Sequence, residues 1–200
     1  MSINWKRVII IGVLSVFAIA LLEGCGYSSS SSSSSEPSLL EQMENEIRLA
    51  EEQKTKHWQI SRTIDEMTDK ERVVASLRSR NKVEFDFPYD GGSYLTMSIR
   101  RWNNDLDVYF TISEGQFVCS EYQGTDIVSI RFDDEEAVKY KVVESSSGRS
   151  DILFIKSSSS EKTILSKCKK AHTIKVQANF YDDGSRVFTF EPEEPLAEFE

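Results

Sequence analysis

Apolar and polar residues alternate along most of the chain after residue 57, with a period of two. Trp58 and Ile60 alternate with Gln59 and Ser61, and Val73, Ala75 and Leu77 with Arg72, Ser76 and Arg78. Val83, Phe85 and Phe87 alternate with Glu84 and Asp86, and Leu95, Met97 and Ile99 with Thr96, Ser98 and Arg100. The same rhythm runs through Leu106–Ile112, Val128–Phe132, Val138–Val142 and Ile174–Phe180. Successive side chains of a strand point to opposite faces, so each stretch reads as a strand with one buried face. Ile152–Ile155 is a short continuous apolar run, as expected of a strand buried on both faces. Asp90-Gly91-Gly92, Asn103-Asn104 and Asp183-Gly184 tolerate positive φ and read as hairpin turns. Ser145–Gly148 and Ser157–Ser160 read as loops.

Two stretches carry a helical period instead. After Pro37, the residues Leu40, Met43, Ile47 and Ala50 recur at helical spacing, with Glu41, Glu44, Glu46, Glu51, Glu52 and Lys54 on the other faces. This predicts a charged amphipathic helix over 38–56, roughly 28 Å long. Its apolar stripe is narrow, which suits a solvated stalk or loose packing on the domain; a two-helix coiled coil would need a longer heptad run. Between Ser159 and Lys170, the residues Ile164, Leu165 and Cys168 share one helical face. The pattern therefore predicts an all-β fold, an antiparallel β-sandwich or open barrel, with one inserted helix. Residues 57–191 form this domain, and the Pro- and Glu-rich segment 192–200 reads as a frayed acidic tail.

Ahead of the helix the pattern is different. Lys6 and Arg7 precede the uncharged run Val8–Leu22, and Leu22-Glu23-Gly24-Cys25 closes it. As a helix, the run reaches roughly 22 Å, short of the ~30 Å hydrocarbon core that a permanent span crosses. A positive start, a short apolar run and a small-residue exit constitute an export signal over 1–24. Leu22, Gly24 and Cys25 resemble the lipobox of bacterial lipoproteins; Glu23 departs from the usual small or apolar residue at its position. The resemblance implies that the Cys25 thiol takes a diacylglyceryl group, that the leader is cut before Cys25, and that the new amino group is acylated. Two or three chains anchor far more firmly than one, at roughly 0.8 kcal/mol per buried methylene. An uncleaved signal anchor, or cleavage without lipid, are the alternatives. Gly26, where Asp would favour retention, resembles the outer-membrane sorting pattern of enteric bacteria. Ser28–Ser35 then lies within a linker over 25–37, with nothing to bury, and reads as a flexible tether.

Composition narrows the function classes. The chain has 200 residues and a formal net charge of −9, which argues against nucleic acid and anionic lipid surfaces as partners. With Cys25 lipidated, Cys119 and Cys168 remain, and export places them where a pair can bond. Such a bond would close a loop of about 50 residues, at roughly 4 kcal/mol in the chain-entropy account. Two buried, unpaired thiols are the rival reading, since Cys168 sits on the helix's apolar face.

Candidate chemistry is sparse. Asp133-Asp134-Glu135-Glu136 lacks the alternating ligands and central Gly of a calcium loop and reads as a polar turn. His57 and His172 show no metal-ligand spacing, so no metal is expected. No Gly-x-Ser-x-Gly turn and no Gly-rich phosphate cradle occur, and neither catalytic residue nor cofactor is expected. Arg100, Arg101 and Trp102, beside the Asn103-Asn104 turn, form a basic–aromatic tip suited to anchoring a partner, or simply a hairpin end that packs its own Trp.

A second resemblance rests on Trp58, Asp65-Glu66-Met67-Thr68, Phe85 to Gly92, Gly115-Gln116-Phe117-Val118-Cys119, Arg131-Phe132-Asp133-Asp134, and Tyr181 to Phe190. These are similar to features of secreted or lipidated proteins of enterobacteria and their prophages and, more remotely, of accessory proteins of type VI secretion systems. Relatives often carry a second Cys shortly after the one at 119; this chain carries none. The resemblance implies a β domain and lends no site. The expectation is a lipoprotein held by Cys25, on the periplasmic face of the outer membrane, with a non-enzymatic β module that binds another envelope protein. A prophage-encoded exclusion or inhibitor lipoprotein is the alternative, and an unrecognised hydrolase the third.

Overall fold

In a computed structural model, residues 38–89, 91–197 and 199 are described. The expected leader over 1–24, the expected lipidation site Cys25, the Ser tract and Asp90 lie outside the described residues. The described chain runs α1 (Leu39–Lys56), β1 (Gln59–Ile64), β2 (Glu71–Arg78), β3 (Leu95–Trp102), β4 (Asp105–Ile112), β5 (Ile127–Phe132), β6 (Val138–Glu144), β7 (Ile152–Ile155), α2 (Ser158–Cys168), β8 (Ile174–Phe180) and β9 (Gly184–Phe190). None of its helices is long and apolar enough to cross a membrane.

The strands form one nine-stranded sheet in the order β1-β2-β3-β4-β7-β6-β5-β8-β9. Every pairing is antiparallel. The fold is all-β with an inserted helix, as the alternation predicts. The sheet is open; it is not closed into a barrel. Its curl comes from β6, which is divided between neighbours: Val138–Lys141 pair with β5, and Val142–Glu144 pair with β7. The two ends of the strand order then approach each other without strand pairing. Arg80 N–H donates to the Thr189 carbonyl at 2.7 Å, and the Asn81 side chain bonds Val187 and Thr189 of β9 at 3.0 and 2.7 Å.

One core fills the curl. Leu77, Met97, Phe110, Ile130, Leu153 and Phe188 are each fully buried within it. Burying a side chain of that size contributes roughly 1.5–3 kcal/mol. The inner face of α2 adds Ile164, Leu165 and Cys168, as its periodicity predicts. Its first turn begins inside the Ser157–Ser160 run expected to be a loop.

Four expectations need correction. β1 is an edge strand paired only with β2, and all six of its residues are exposed, so Ile60 gains no buried face. Val83–Phe87 forms no strand: a single bridge joins Val83 to Ser93, Phe85 is buried as a wedge, and Phe87 is 87% exposed. β7 has one buried face, with Leu153 and Ile155, while Ile152 and Phe154 are only half-buried. The C-terminal segment does not fray: Leu196 and Phe199 are buried in the core, and Leu196 N–H donates to the Cys168 carbonyl at 3.0 Å. The hairpin turn at Asp183-Gly184 leads into β9, a strand whose span the alternation does not mark; its first half is polar and exposed, and only Phe188 and Phe190 reach the core.

Helix α1 starts where Ser38 caps it, with Ser38 Oγ accepting the Glu41 N–H and Glu41 returning a bond to Ser38 N–H. No residue of α1 is buried. Its attachment is at the C-terminal turn, where Glu51 pairs with Arg78 and Lys56 with Glu193.

Candidate functional site

The β3–β4 hairpin turns through Asn103 and Asn104, with Trp102 opposite Asp105. Asn103 supplies the positive φ, 57°, that closes a loop this short. The tip thus carries Arg100, Arg101 and Trp102 on its β3 arm and Asp105, Leu106 and Asp107 on its β4 arm. Helix α2 lies against β4 and β7. Two adjoining grooves open where tip and helix meet, and both are lined by Asn104, Leu106 and Lys162.

The first groove, ≈580 Å³, runs between the tip, the β6–β7 turn at Glu144–Ser146, and the start of α2. All the carboxylates of the cleft are here: Asp105, Asp107, Glu144 and Glu161. Asp107 is taken by Arg100, whose Nε and Nη2 lie 2.9 and 2.8 Å from the same carboxylate oxygen. Glu161 is 6% exposed. Burial raises its pKa, an accepted Val108 N–H lowers it, and the charges of Asp107 and Asp105 raise it again, with a net upward shift. The β4–β7 ladder reaches only to Tyr109 opposite Phe154, so Val108 N–H lies just past its end, and the Glu161 carboxylate receives it there.

The second groove, ≈440 Å³, lies between Arg101, Asn103 and Asn104 on one side and α2 on the other. Lys162, Leu165 and Ser166 of α2 and Lys169, its C-cap in helical conformation, fall at i, i+3, i+4 and i+7, so they form one stripe. Its floor is Leu106 and Leu165. Among the described residues, its charged lining is Arg101, Lys162 and Lys169, with no carboxylate. None of these three has an ion-pair partner among the described residues. Arg101 stacks its guanidinium over the Phe199 ring, 5.6 Å from the centroid.

The sequence-derived tip residues therefore separate. Arg100 is committed to Asp107 and also lies over Tyr109 and Phe154. Arg101 faces the basic groove. Trp102 is 40% exposed at the tip, not packed away. Lys162, Lys169 and Glu161 were not singled out from sequence; the signal for the lysines was their i, i+7 spacing on the outer face of α2.

Cys119 and Cys168 do not bond in this structure. Both are free thiols; Cys168 is buried on the inner face of α2, and Cys119 lies half-buried, donating toward the Val142 carbonyl at 3.6 Å. Burial raises both thiols, and for Cys119 the charges of Glu144 and Asp126 add to it. The acidic stretch Asp133–Glu136 behaves as a turn: Asp133 Oδ1 accepts His172 and Thr173 N–H at 2.9 and 2.8 Å, and Glu135 pairs with Lys167. Among the described residues, no cluster of His, Cys, Asp and Glu is arranged to hold a metal ion.

No family model matches the chain, and no curated protein or solved structure matches it.

Proposed function

We propose that this chain is a lipid-anchored, non-enzymatic binding module of the cell envelope, and that the cleft between the β3–β4 tip and α2 is its recognition surface. The observation that carries the binding role is the basic groove, where three cations around one concavity of an acidic protein have no ion-pair partner among the described residues. Unneutralised like charges repel one another, and a partner that neutralises them gains that energy back. The anchor rests on Leu22-Glu23-Gly24-Cys25 after the apolar run, and the outer-membrane address on Gly26. A lipid anchor followed by a serine tether leaves such a module free to search for a partner near the membrane. Expression of the full chain with labelled palmitate tests the anchor: wild type incorporates label and Cys25→Ser does not. Cross-linking in intact envelopes tests the role: wild type captures a defined envelope protein, and its absence removes the reading.

A hydrolase is the second reading, and Glu161 is its one support. A buried carboxylic acid with a raised pKa, in a cleft beside other carboxylates, has the properties of a general acid. The Val108 N–H it receives gives the same residue a structural task. Turnover of cell-wall or polysaccharide substrates by wild type but not by Glu161→Gln would favour this reading over the first.

A further inference from the structure

We propose that the basic groove takes the carboxylates of a peptide segment of a partner protein, with Arg101, Lys162 and Lys169 as the receiving cations. This deepens the binding-module reading and rests on it. Arg101 is the best placed of the three. The Phe199 ring holds one face of its guanidinium, while no carboxylate engages its N–H donors among the described residues. A guanidinium presents those donors in a planar fork that matches a carboxylate. Lys162 and Lys169 sit two helical turns apart on α2, so they supply two further point charges along the groove, roughly 10 Å from one another along the axis.

The rest of the lining suits a peptide. Leu106 and Leu165 give an apolar floor for aliphatic side chains. The Asn103 and Asn104 amides make no hydrogen bond among the described residues, and each offers a donor and an acceptor of the kind a peptide backbone uses. Two nearby cations are already paired and so are not available to a ligand: Arg100 is bound to Asp107 and Lys167 to Glu135.

The adjoining groove decides against a uniform polyanion. A sulfated glycan or nucleic acid that extended past Lys162 would meet four carboxylates, Asp105, Asp107, Glu144 and Glu161, against two further cations, Lys156 and Arg100, the latter already held by Asp107. Only a ligand with isolated carboxylates among neutral or basic groups fits both compartments, and a mixed-charge peptide has that character.

The test uses the full chain in a zwitterionic detergent, panned against a random dodecapeptide phage library. The selected peptide is then synthesised with a fluorophore, and its binding is read by anisotropy. Selected sequences are expected to share Asp or Glu positions, and replacing these with Asn or Gln should weaken binding roughly tenfold or more. The triple variant Arg101→Gln, Lys162→Gln, Lys169→Gln should lose binding similarly, and Lys162→Arg with Lys169→Arg, Arg101 being kept, should retain most of it, which separates lost charge from lost fold. No enrichment, an acid-free consensus, equal binding by the amide peptide, or tighter binding of dextran sulfate than of the peptide overturns the proposal. If the triple Gln variant still cross-links the envelope partner in intact envelopes, the binding-module reading stands and this groove is not its site.

Discussion

Arg100 and Asp107 face each other across the β3–β4 ladder, and two guanidinium nitrogens of the first lie within 2.9 Å of one carboxylate oxygen of the second. The pair lines the acidic groove, and Arg101, the next residue of β3, is the only arginine among the described residues that line the basic one. Asp107→Asn should therefore destabilise the fold by about 1 kcal/mol, since the pair is partly exposed and screened. Peptide binding at Arg101 should be unaffected. Urea unfolding and anisotropy on the same variant check both outcomes.

Glu161 makes the protein's stability depend on pH in a defined direction. Its folded pKa is raised, so between the unfolded value, about 4.3, and the folded value the native state holds the extra proton. Stability from this group therefore falls as pH rises through that window and stays low above the folded pKa. Glu161→Gln keeps an acceptor for Val108 N–H and carries no charge. It should gain stability relative to wild type at pH 8 and lose that advantage at pH 4, as read by urea midpoints at the two values.

The strands that were legible in sequence are those with a neighbour on each side. Val73–Leu77, Leu95–Ile99 and Leu106–Ile112 alternate cleanly because one face of each meets the core. Alternation alone does not report whether a partner strand is available. Ile60 and Phe87 alternate with polar neighbours as these do, yet β1 is an edge strand with no buried residue and Phe87 has no strand to join. β9 fails in the opposite way, since Gly184, Ser185 and Arg186 hide a strand whose last residues are core. The cleft was half legible. Arg101 stood out as part of a basic tip, but Lys162 and Lys169 reach it only because α2 is laid against β4, more than fifty residues earlier in the chain.

Gly115 is required for two reasons at once. Its φ is +120°, and a Cβ there would come within 2.9 Å of the Phe85 ring. That ring is itself fixed against Phe180, with centroids 4.8 Å apart. Gly115→Ala should cost about 2–3 kcal/mol, through backbone strain plus displacement of Phe85. Adding Phe85→Leu to Gly115→Ala should recover part of that loss, because the clash is relieved. A double-mutant cycle in urea measures the coupling.

The two thiols should differ in reactivity. Cys168 is fully buried, and Cys119 is half-buried with its pKa raised by burial and nearby carboxylates. Only thiolates are alkylated readily, so native labelling with iodoacetamide should be slow at Cys119 and absent at Cys168 until unfolding. Cys168→Ala should be tolerated better than Cys168→Ser, which buries a hydroxyl, by about 1 kcal/mol. Intact mass of the exported protein distinguishes free thiols from a bond, which would lower it by about 2 Da and abolish labelling at both.

Phe199 connects the end of the chain to the groove. A Pro- and Glu-rich composition concealed it, yet the ring is 1% exposed in the core and lies under Arg101. Phe199→Ala should cost about 3–5 kcal/mol through the lost burial and the cavity left behind. That variant alone cannot distinguish a core role from support of Arg101. Phe199→Leu can, because an aliphatic side chain keeps most of the burial and removes the π face. Phe199→Leu should thus unfold within about 1.5 kcal/mol of wild type but bind the acidic peptide several-fold more weakly, with the loss disappearing in an Arg101→Gln background. Equal losses in both backgrounds would mean that the ring serves the core alone.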